Sequence, residues 1–223
     1  MPDLDFKITG LEPGAHGLTP LLNFKLEVIA TPATQPISNV ILQAQIQLQA
    51  TQRRYAAGEK EKLTELFGTP ERWARTVRPL LWMNTSVVVP RFAGDTVVNL
   101  ELPCTFDFNV AATKYFHALD AGDIPLCVMF SGTLFLEGPE GVLQVANVPW
   151  DREASFRLPI AVWKEMMEMH YPNTSWLCLH RDTFDALYDF KVRHGIPTWE
   201  QAIDRALAAA EPAKEPAAEE VTA

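Results

Sequence analysis

The sequence lacks the motifs of common nucleotide-binding and hydrolytic enzymes, and it lacks paired cysteines. It contains neither G-x-x-x-x-G-K-[ST] nor G-x-G-x-x-G, and no G-x-S-x-G nucleophile elbow. The three cysteines, Cys104, Cys127 and Cys178, are odd in number and widely spaced. They predict no disulfide framework, and they favour a reducing cytoplasm as the compartment.

The sequence is equally poor in metal-binding spacings and in long apolar runs. The five histidines show no H-x-x-H or H-E-x-x-H pattern, so they predict no zinc site. No apolar run approaches the ~20 residues of a membrane-spanning helix, and the first ten residues do not form a signal peptide. The net charge of −9 argues against nucleic acid or an anionic membrane as the main partner. We therefore expect no cofactor, no metal, no nucleic acid and no membrane.

What the sequence does contain is a clear β pattern. Between Leu42 and Ala50, apolar residues alternate strictly with four glutamines. A period of two with one polar face is typical of a half-buried antiparallel strand. The glutamine face is either solvated or in contact with a partner.

The remaining patterns predict an α+β fold. Residues 1–158 form an antiparallel β-sandwich or a strongly curved sheet of about eight strands, with a helical insertion at about 56–78. Residues 159–209 form about three helices packed on the β-domain in the same globular unit. The Pro/Ala/Glu-rich residues 210–223 are expected to be disordered.

The insertion differs in charge from the rest of the chain. Residues 51–82 contain seven Lys/Arg and four Glu, which gives +3 locally and leaves −12 for the remainder. Arginine and tryptophan are enriched at protein-binding hot spots. The candidate partner surface consists of Arg53, Arg54, Tyr55, Arg72, Trp73, Arg75 and Arg78. The alternatives are that these arginines are simply solvated or that they pair with acidic residues of the same protein.

Two further sets of residues have the chemistry for acid–base catalysis. His117 lies on a predicted short helix between 109 and 119, and Asp151 and Glu153 flank an arginine. We expect a partly buried structural histidine and a charged turn between strands instead, because acid–base work needs a pocket that separates the pKa values. Gly132, inside a predicted strand, indicates a bulge or a close backbone approach.

Several segments resemble an uncharacterised bacterial family known as a domain of unknown function. The resemblance covers the chain to about residue 209, and it is carried by LFGTPERWARTVRPLLW at 66–82, KYFHAL at 114–119, IPLCVMFSGT at 124–133 and FDALYDFKVRHGIPTW at 184–199. Members of that family are encoded near uptake [NiFe]-hydrogenase genes. The resemblance implies an accessory or maturation role with a hydrogenase subunit or accessory factor as partner, and it supplies no catalytic residue.

Three functions are consistent with these observations. The first is a non-catalytic accessory or interaction protein, such as a maturation factor or chaperone for a metalloenzyme. The alternatives are a small-molecule-binding β-sandwich domain and an uncharacterised enzyme using His117 or the Asp151/Glu153 pair. A homo-oligomer is compatible with each of them.

Overall fold

Eight antiparallel strands in two sheets dominate the described chain. The structure is a computed structural model that describes residues 2–14, 19–138 and 142–210. The strands are β1 (Asp3–Pro13), β2 (Leu21–Thr31), β3 (Ile37–Leu48), β4 (Leu80–Val89), β5 (Asp95–Pro103), β6 (Asp123–Glu137), β7 (Leu143–Asn147) and β8 (Glu153–Pro159). The helices are α1 (Ala57–Lys62), α2 (Thr64–Phe67), α3 (Trp73–Thr76), α4 (Ala111–Ala118), α5 (Ile160–His170), α6 (Arg181–Arg193) and α7 (Trp199–Ala210), with 3₁₀ turns at Ala50–Gln52 and Pro70–Arg72.

The smaller sheet has the order β1-β2-β5. The alternating sequence of β2 buries Leu22, Phe24, Leu26 and Val28, while the residues between them point outward. This alternation is expected of a sheet that is apolar on one face and solvated on the other.

The larger sheet has the order β4-β3-β6, and both β7 and β8 pair with the second edge of β6. β8 pairs with residues 123–129 of β6 and β7 with residues 133–137. β6 therefore changes partner near Gly132, whose carbonyl accepts a hydrogen bond from the Val148 N–H at 2.9 Å. The two sheets are not closed into a barrel.

The core lies between the inner faces of the two sheets. Phe6 of the smaller sheet stacks on Phe130 of the larger one, with ring centroids 4.4 Å apart. Phe24 meets Phe156 edge to face at 5.4 Å. Burial of such aromatic side chains contributes much of the stability of a sandwich.

Helices α4 and α5 pack at one end of the sandwich. Phe116 of α4 stacks on Trp163 of α5 with ring centroids 4.9 Å apart, and Trp82 of β4 meets Phe116 at 4.9 Å. Tyr115 on the other side of α4 is fully buried. This aromatic cluster joins α4 and α5 to the larger sheet.

The chain divides into two compact units, Met1–Leu177 and Cys178–Ala223. In the second unit, Phe184 and Tyr188 of α6 lie 5.3 and 6.2 Å from the ring of Trp199 at the start of α7. Gly195 follows α6 with φ 62°, the left-handed conformation typical of a residue after a helix end.

The predicted α+β fold with about eight antiparallel strands and C-terminal helices is confirmed. The predicted packing of residues 159–209 with the β-domain as one globular unit stays a prediction. Residues 211–223, expected to be disordered, and most of the predicted turn at 138–141 lie outside the described residues. Among the described helices, none is both long and apolar enough to cross a bilayer.

Candidate functional site

The insertion between β3 and β4 contains a buried ion pair. Arg53 Nη2 lies 3.0 Å from Glu59 Oε1, and Arg53 Nη1 lies 3.1 Å from Glu59 Oε2. Only 8% and 5% of the two side chains are exposed. Glu59 also accepts hydrogen bonds from the backbone N–H groups of Ala56 (3.0 Å) and Asp120 (2.9 Å). Arg53 Nε donates to the carbonyl of Asp123 at 3.2 Å. The pair thus fastens the insertion to the loop between α4 and β6.

Hydrogen bonding keeps Glu59 ionised despite its burial. Burial alone would raise the pKa of the Glu59 carboxyl group. The hydrogen bonds from Arg53, from the two backbone N–H groups and the positive charge of Arg53 outweigh that effect, so the pKa lies below its ordinary value. A carboxylate with four donors around it is a structural anchor.

Tyr55 and Trp73 hold the insertion together from inside. The Tyr55 hydroxyl lies 2.7 Å from the carbonyl of Ala50 and 2.7 Å from the hydroxyl of Tyr115. Trp73 Nε1 donates to the carbonyl of Gly68 at 2.9 Å, and its ring meets Tyr55 edge to face at 5.2 Å. Burial raises the pKa of both tyrosines, so their hydroxyl groups remain protonated. These side chains are half-buried supports of the insertion.

The other predicted surface residues are exposed arginines. Arg54, Arg72, Arg75 and Arg78 are all exposed. Within the described part of the chain, no carboxylate lies within 4.0 Å of their guanidinium groups. Arg78 Nη1 donates only to the carbonyl of Val77, at 2.9 Å. The seven predicted residues thus separate into an internal set, Arg53, Tyr55 and Trp73, and an exposed set of four arginines.

Next to the insertion, α4 and α5 form one wall each of an open cleft of about 470 Å³. Apolar side chains of Phe106, Trp163, Met167 and Tyr171 line it together with charged groups. The cleft volume lies within the range typical of small-molecule sites. Sequence reasoning missed this cleft, because its residues come from four separate segments.

The charged groups of the cleft include His117 and Asp120. Lys62 Nζ lies 2.7 Å from Asp120 Oδ1, and Lys164 Nζ donates to the Asp120 carbonyl at 3.3 Å. Burial lowers the pKa of His117, and the charges of Lys164 and Lys62 lower it further. Among the described residues, no carboxylate is hydrogen-bonded to His117. The cleft therefore contains a neutral imidazole beside two ammonium groups, without an acid–base dyad.

Asp151 and Glu153 do not converge on a common point. Asp151 lies 3.9 Å from Arg152 Nε, and that arginine binds Asp3 and Asp5 of β1 at 2.7 and 3.1 Å. Glu153 lies on the outer face of β8. Arg152 thus links the β7–β8 loop to β1 by ion pairs. This geometry matches the interpretation of residues 151–153 as a charged turn.

In the part of the chain that the structure describes, the cysteines and the other potential ligands form no metal site. Burial raises the pKa of the Cys104 thiol to about 12 and that of Cys127 to about 11. Within residues 2–14, 19–138 and 142–210, no group of three or more His, Cys, Asp or Glu side chains could hold a metal ion.

The sequence of the chain matches a known family over nearly its full length. Residues 1–215 fit the profile described as "Family of unknown function (DUF6084)". The chain belongs to this family. The predicted resemblance to a domain of unknown function is thereby confirmed, and the match extends through both compact units. Searches of curated proteins and of solved structures gave no significant match.

Proposed function

We propose that the protein is a non-catalytic accessory protein that binds an acidic protein partner through Arg72, Arg75 and Arg78. The observation that carries this proposal is that all three side chains are exposed and without a carboxylate partner among the described residues. The protein as a whole has a charge of −9, so acidic groups to neutralise these arginines are plentiful. Guanidinium groups that remain available in such a protein are suited to a carboxylate of another molecule.

The segment that presents these arginines is held rigidly. Pro70 occupies the first position of a 3₁₀ turn, Trp73 is hydrogen-bonded to Gly68, and Val77 is buried in the core. The backbone from 70 to 78 is therefore ordered before a partner arrives. Pre-ordering lowers the entropic cost of binding, which favours a recognition role.

The partner we propose to test first is a subunit or accessory factor of a metalloenzyme such as [NiFe]-hydrogenase. This identity rests on the family resemblance and on the acidic-partner chemistry of the arginines. In that role the protein is a cytoplasmic maturation factor or chaperone.

Capture of partners from the native host tests the proposal. We expect the full chain to retain a stoichiometric protein partner. Replacement of Arg72, Arg75 and Arg78 by glutamate should weaken that complex at least ~30-fold, because each attractive contact becomes repulsive. Quantitative pull-down and titration calorimetry with the recovered partner measure the change.

A matched control reverses three exposed basic residues elsewhere, Lys7, Arg181 and Arg205. It alters the net charge by the same amount and should leave the affinity within about threefold, since only long-range electrostatics change. Recovery of no stoichiometric partner, or equal weakening by both triple variants, contradicts the proposal.

The open cleft favours small-molecule binding as a second candidate function. Aromatic side chains and two lysines line it, whereas the void beside Trp82, Phe116 and Trp163 inside the sandwich measures only about 50 Å³. A void of that size has room for little more than one or two water molecules. Of these two spaces, only the cleft has room for an organic ligand.

Native mass spectrometry of the protein from its host tests this second function. A bound molecule would add a discrete mass that Lys164→Glu removes. Lys60→Glu, outside the cleft, should retain it. Protein that carries no added mass, or an adduct insensitive to Lys164→Glu, counts against ligand binding in the cleft.

A further inference from the structure

On strands β4, β3, β6 and β7 the outer face of the larger sheet carries almost no charge, whereas β8 places Glu153 and Arg157 on that face. On β3 the outward side chains are Ile41, Gln43, Gln45 and Gln47, and on β6 the outward stretch runs from Cys127 to Phe135 without a charged residue. We call these two outward rows, with their partners on β4 and β7, the neutral face. Nearly all of it is uncharged polar or apolar.

Strand register makes the neutral face continuous across β4, β3 and β6. Ile41 lies opposite Val88 on β4 and opposite Thr133 on β6. Gln43 lies opposite Ser86 and Ser131 in the same way. Each lateral row thus crosses three strands without meeting a charge.

Large apolar side chains are exposed on this face. Val88 is 61%, Ile41 46% and Val145 61% exposed. Val145 lies opposite Phe135, which is two residues from Thr133, the β6 partner of Ile41. Exposed apolar side chains therefore occur on β3, β4 and β7 at this end of the sheet. A contiguous exposed apolar patch on a protein is a common mark of an interface.

The outer face of the smaller sheet shows the contrast. There Asp5, Lys7, Lys25, Glu27 and Glu101 point outward, and Lys25 pairs with Glu12 at 3.1 Å. This charged face is typical of a sheet in contact with water. The two outer faces of the sandwich are therefore suited to different environments, the charged face to water and the neutral face to another protein surface.

We propose that the neutral face is the interface with a second copy of this chain, packed sheet against sheet. A molecule of charge −9 repels its own copies, and this is the broad face on which two copies meet without opposing like charges. Apolar side chains at one end of the face lose water on contact, which supplies the driving force.

The glutamine row suits a copy of itself. A primary amide both donates and accepts hydrogen bonds, so rows of Gln43, Gln45 and Gln47 related by a two-fold axis satisfy each other. Stacked sheets about 10 Å apart are a standard packing arrangement. No charged group of the neutral face itself has to be desolvated to form it, and Glu153 on the neighbouring β8 borders the interface.

The size of the neutral face suits a dimer interface at the lower end of the usual range. It covers β4, β3 and β6 over about eight residue steps of about 3.3 Å, with β7 beside one end, a footprint of about 20 Å by 26 Å before side-chain relief is counted. This is about two-thirds of the ~800 Å² that each partner buries in an interface of standard size.

Sedimentation equilibrium and light scattering on the full chain test the proposal. At about 100 μM, where even a micromolar dimer is formed, we expect twice the chain mass of 25.0 kDa. Ile41→Lys and, separately, Gln45→Lys place like charges at the interface of both copies. Each should raise the dissociation constant at least ~30-fold and give a monomer at micromolar concentration.

Val97→Lys is the matched control, because Val97 is 54% exposed in β5 on the outer face of the smaller sheet. It should dimerise like the wild type. Thermal unfolding of the variants verifies that each is folded. A wild type that remains monomeric overturns the proposal, and this includes a monomer whose neutral face binds a different protein. So does a dimer that neither Ile41→Lys nor Gln45→Lys weakens. The arginine variants of the proposed function leave the dimer unchanged, so the two proposals fail independently.

Discussion

Replacing Glu59 by alanine is expected to lower the free energy of unfolding by about 3–5 kcal/mol. The substitution leaves the Arg53 guanidinium buried without its counter-charge, with only backbone carbonyls such as that of Asp123 as acceptors. It also removes the acceptor for the N–H groups of Ala56 and Asp120. An uncompensated buried charge together with unsatisfied donors is one of the few mechanisms that produce effects of this size. Urea unfolding followed by tryptophan fluorescence measures the loss.

The neighbouring Glu61→Ala is the matched control for this prediction. Glu61 lies on the same helix and is exposed, so its loss should change the unfolding free energy by less than about 0.5 kcal/mol. If the two variants are equally stable, the Arg53–Glu59 pair is not the anchor of the insertion.

The effect of Glu59→Ala should depend on pH in a defined direction. The pKa of Glu59 in the folded protein lies below the ordinary 4.5. The stabilisation by its carboxylate is therefore fully present above pH 4.5 and is lost as the pH falls through the lower, folded-state value. The difference in stability between wild type and variant should shrink under acid and remain constant from pH 6 to pH 8.

Much of the sheet was predictable because burial imposes its period directly on the sequence. The alternation from Leu42 to Leu48 identified β3 and its glutamine face, since each inward position must be apolar. The first residue of α6 was less predictable from the sequence. An N-cap rule applied to this segment selects Asp182, whereas the helix starts at Arg181 and Asp182 lies in its first turn. A negative charge is favourable at both positions, so composition alone does not separate them.

The candidate surface was only partly predictable, for a different physical reason. Arg53 and Arg72 look alike in the sequence, yet one is buried and the other exposed. What distinguishes them is the loop at 120–123, which supplies carbonyl and N–H groups from more than sixty residues away. Local sequence patterns predict helices and strands, but they do not predict which charged side chain a distant loop will bury. A glutamate at the third position of α1 was the one local signal, because such a residue often bonds back to the helix start.

Substitution of Gly132 by alanine is expected to be the other severe change, with a loss of at least about 3 kcal/mol in unfolding free energy. A methyl group built on Gly132 would lie 2.2 Å from the carbonyl oxygen of Ile41 and 3.1 Å from the Cα of Leu42. Both are backbone atoms of the paired strand β3, so no side-chain rotation relieves the clash. The two central strands must separate locally, with loss of hydrogen bonds on both sides of β6. The close approach predicted from a glycine inside a strand is thus confirmed.

Gly58→Ala is the control that isolates this steric cause. Gly58 lies in α1 with no atom within 4 Å of the added methyl group, and alanine stabilises a helix relative to glycine. This variant should gain about 0.4–1 kcal/mol. The two substitutions are chemically identical. If urea unfolding shows that Gly132→Ala lowers the unfolding free energy while Gly58→Ala raises it, the loss at Gly132 comes from the contact between β3 and β6. A Gly132→Ala protein as stable as the wild type would show that β3 and β6 do not approach as closely as described. Because Ile41 also belongs to the apolar end of the neutral face, a loosened β3–β6 pair should weaken dimer formation along with the fold.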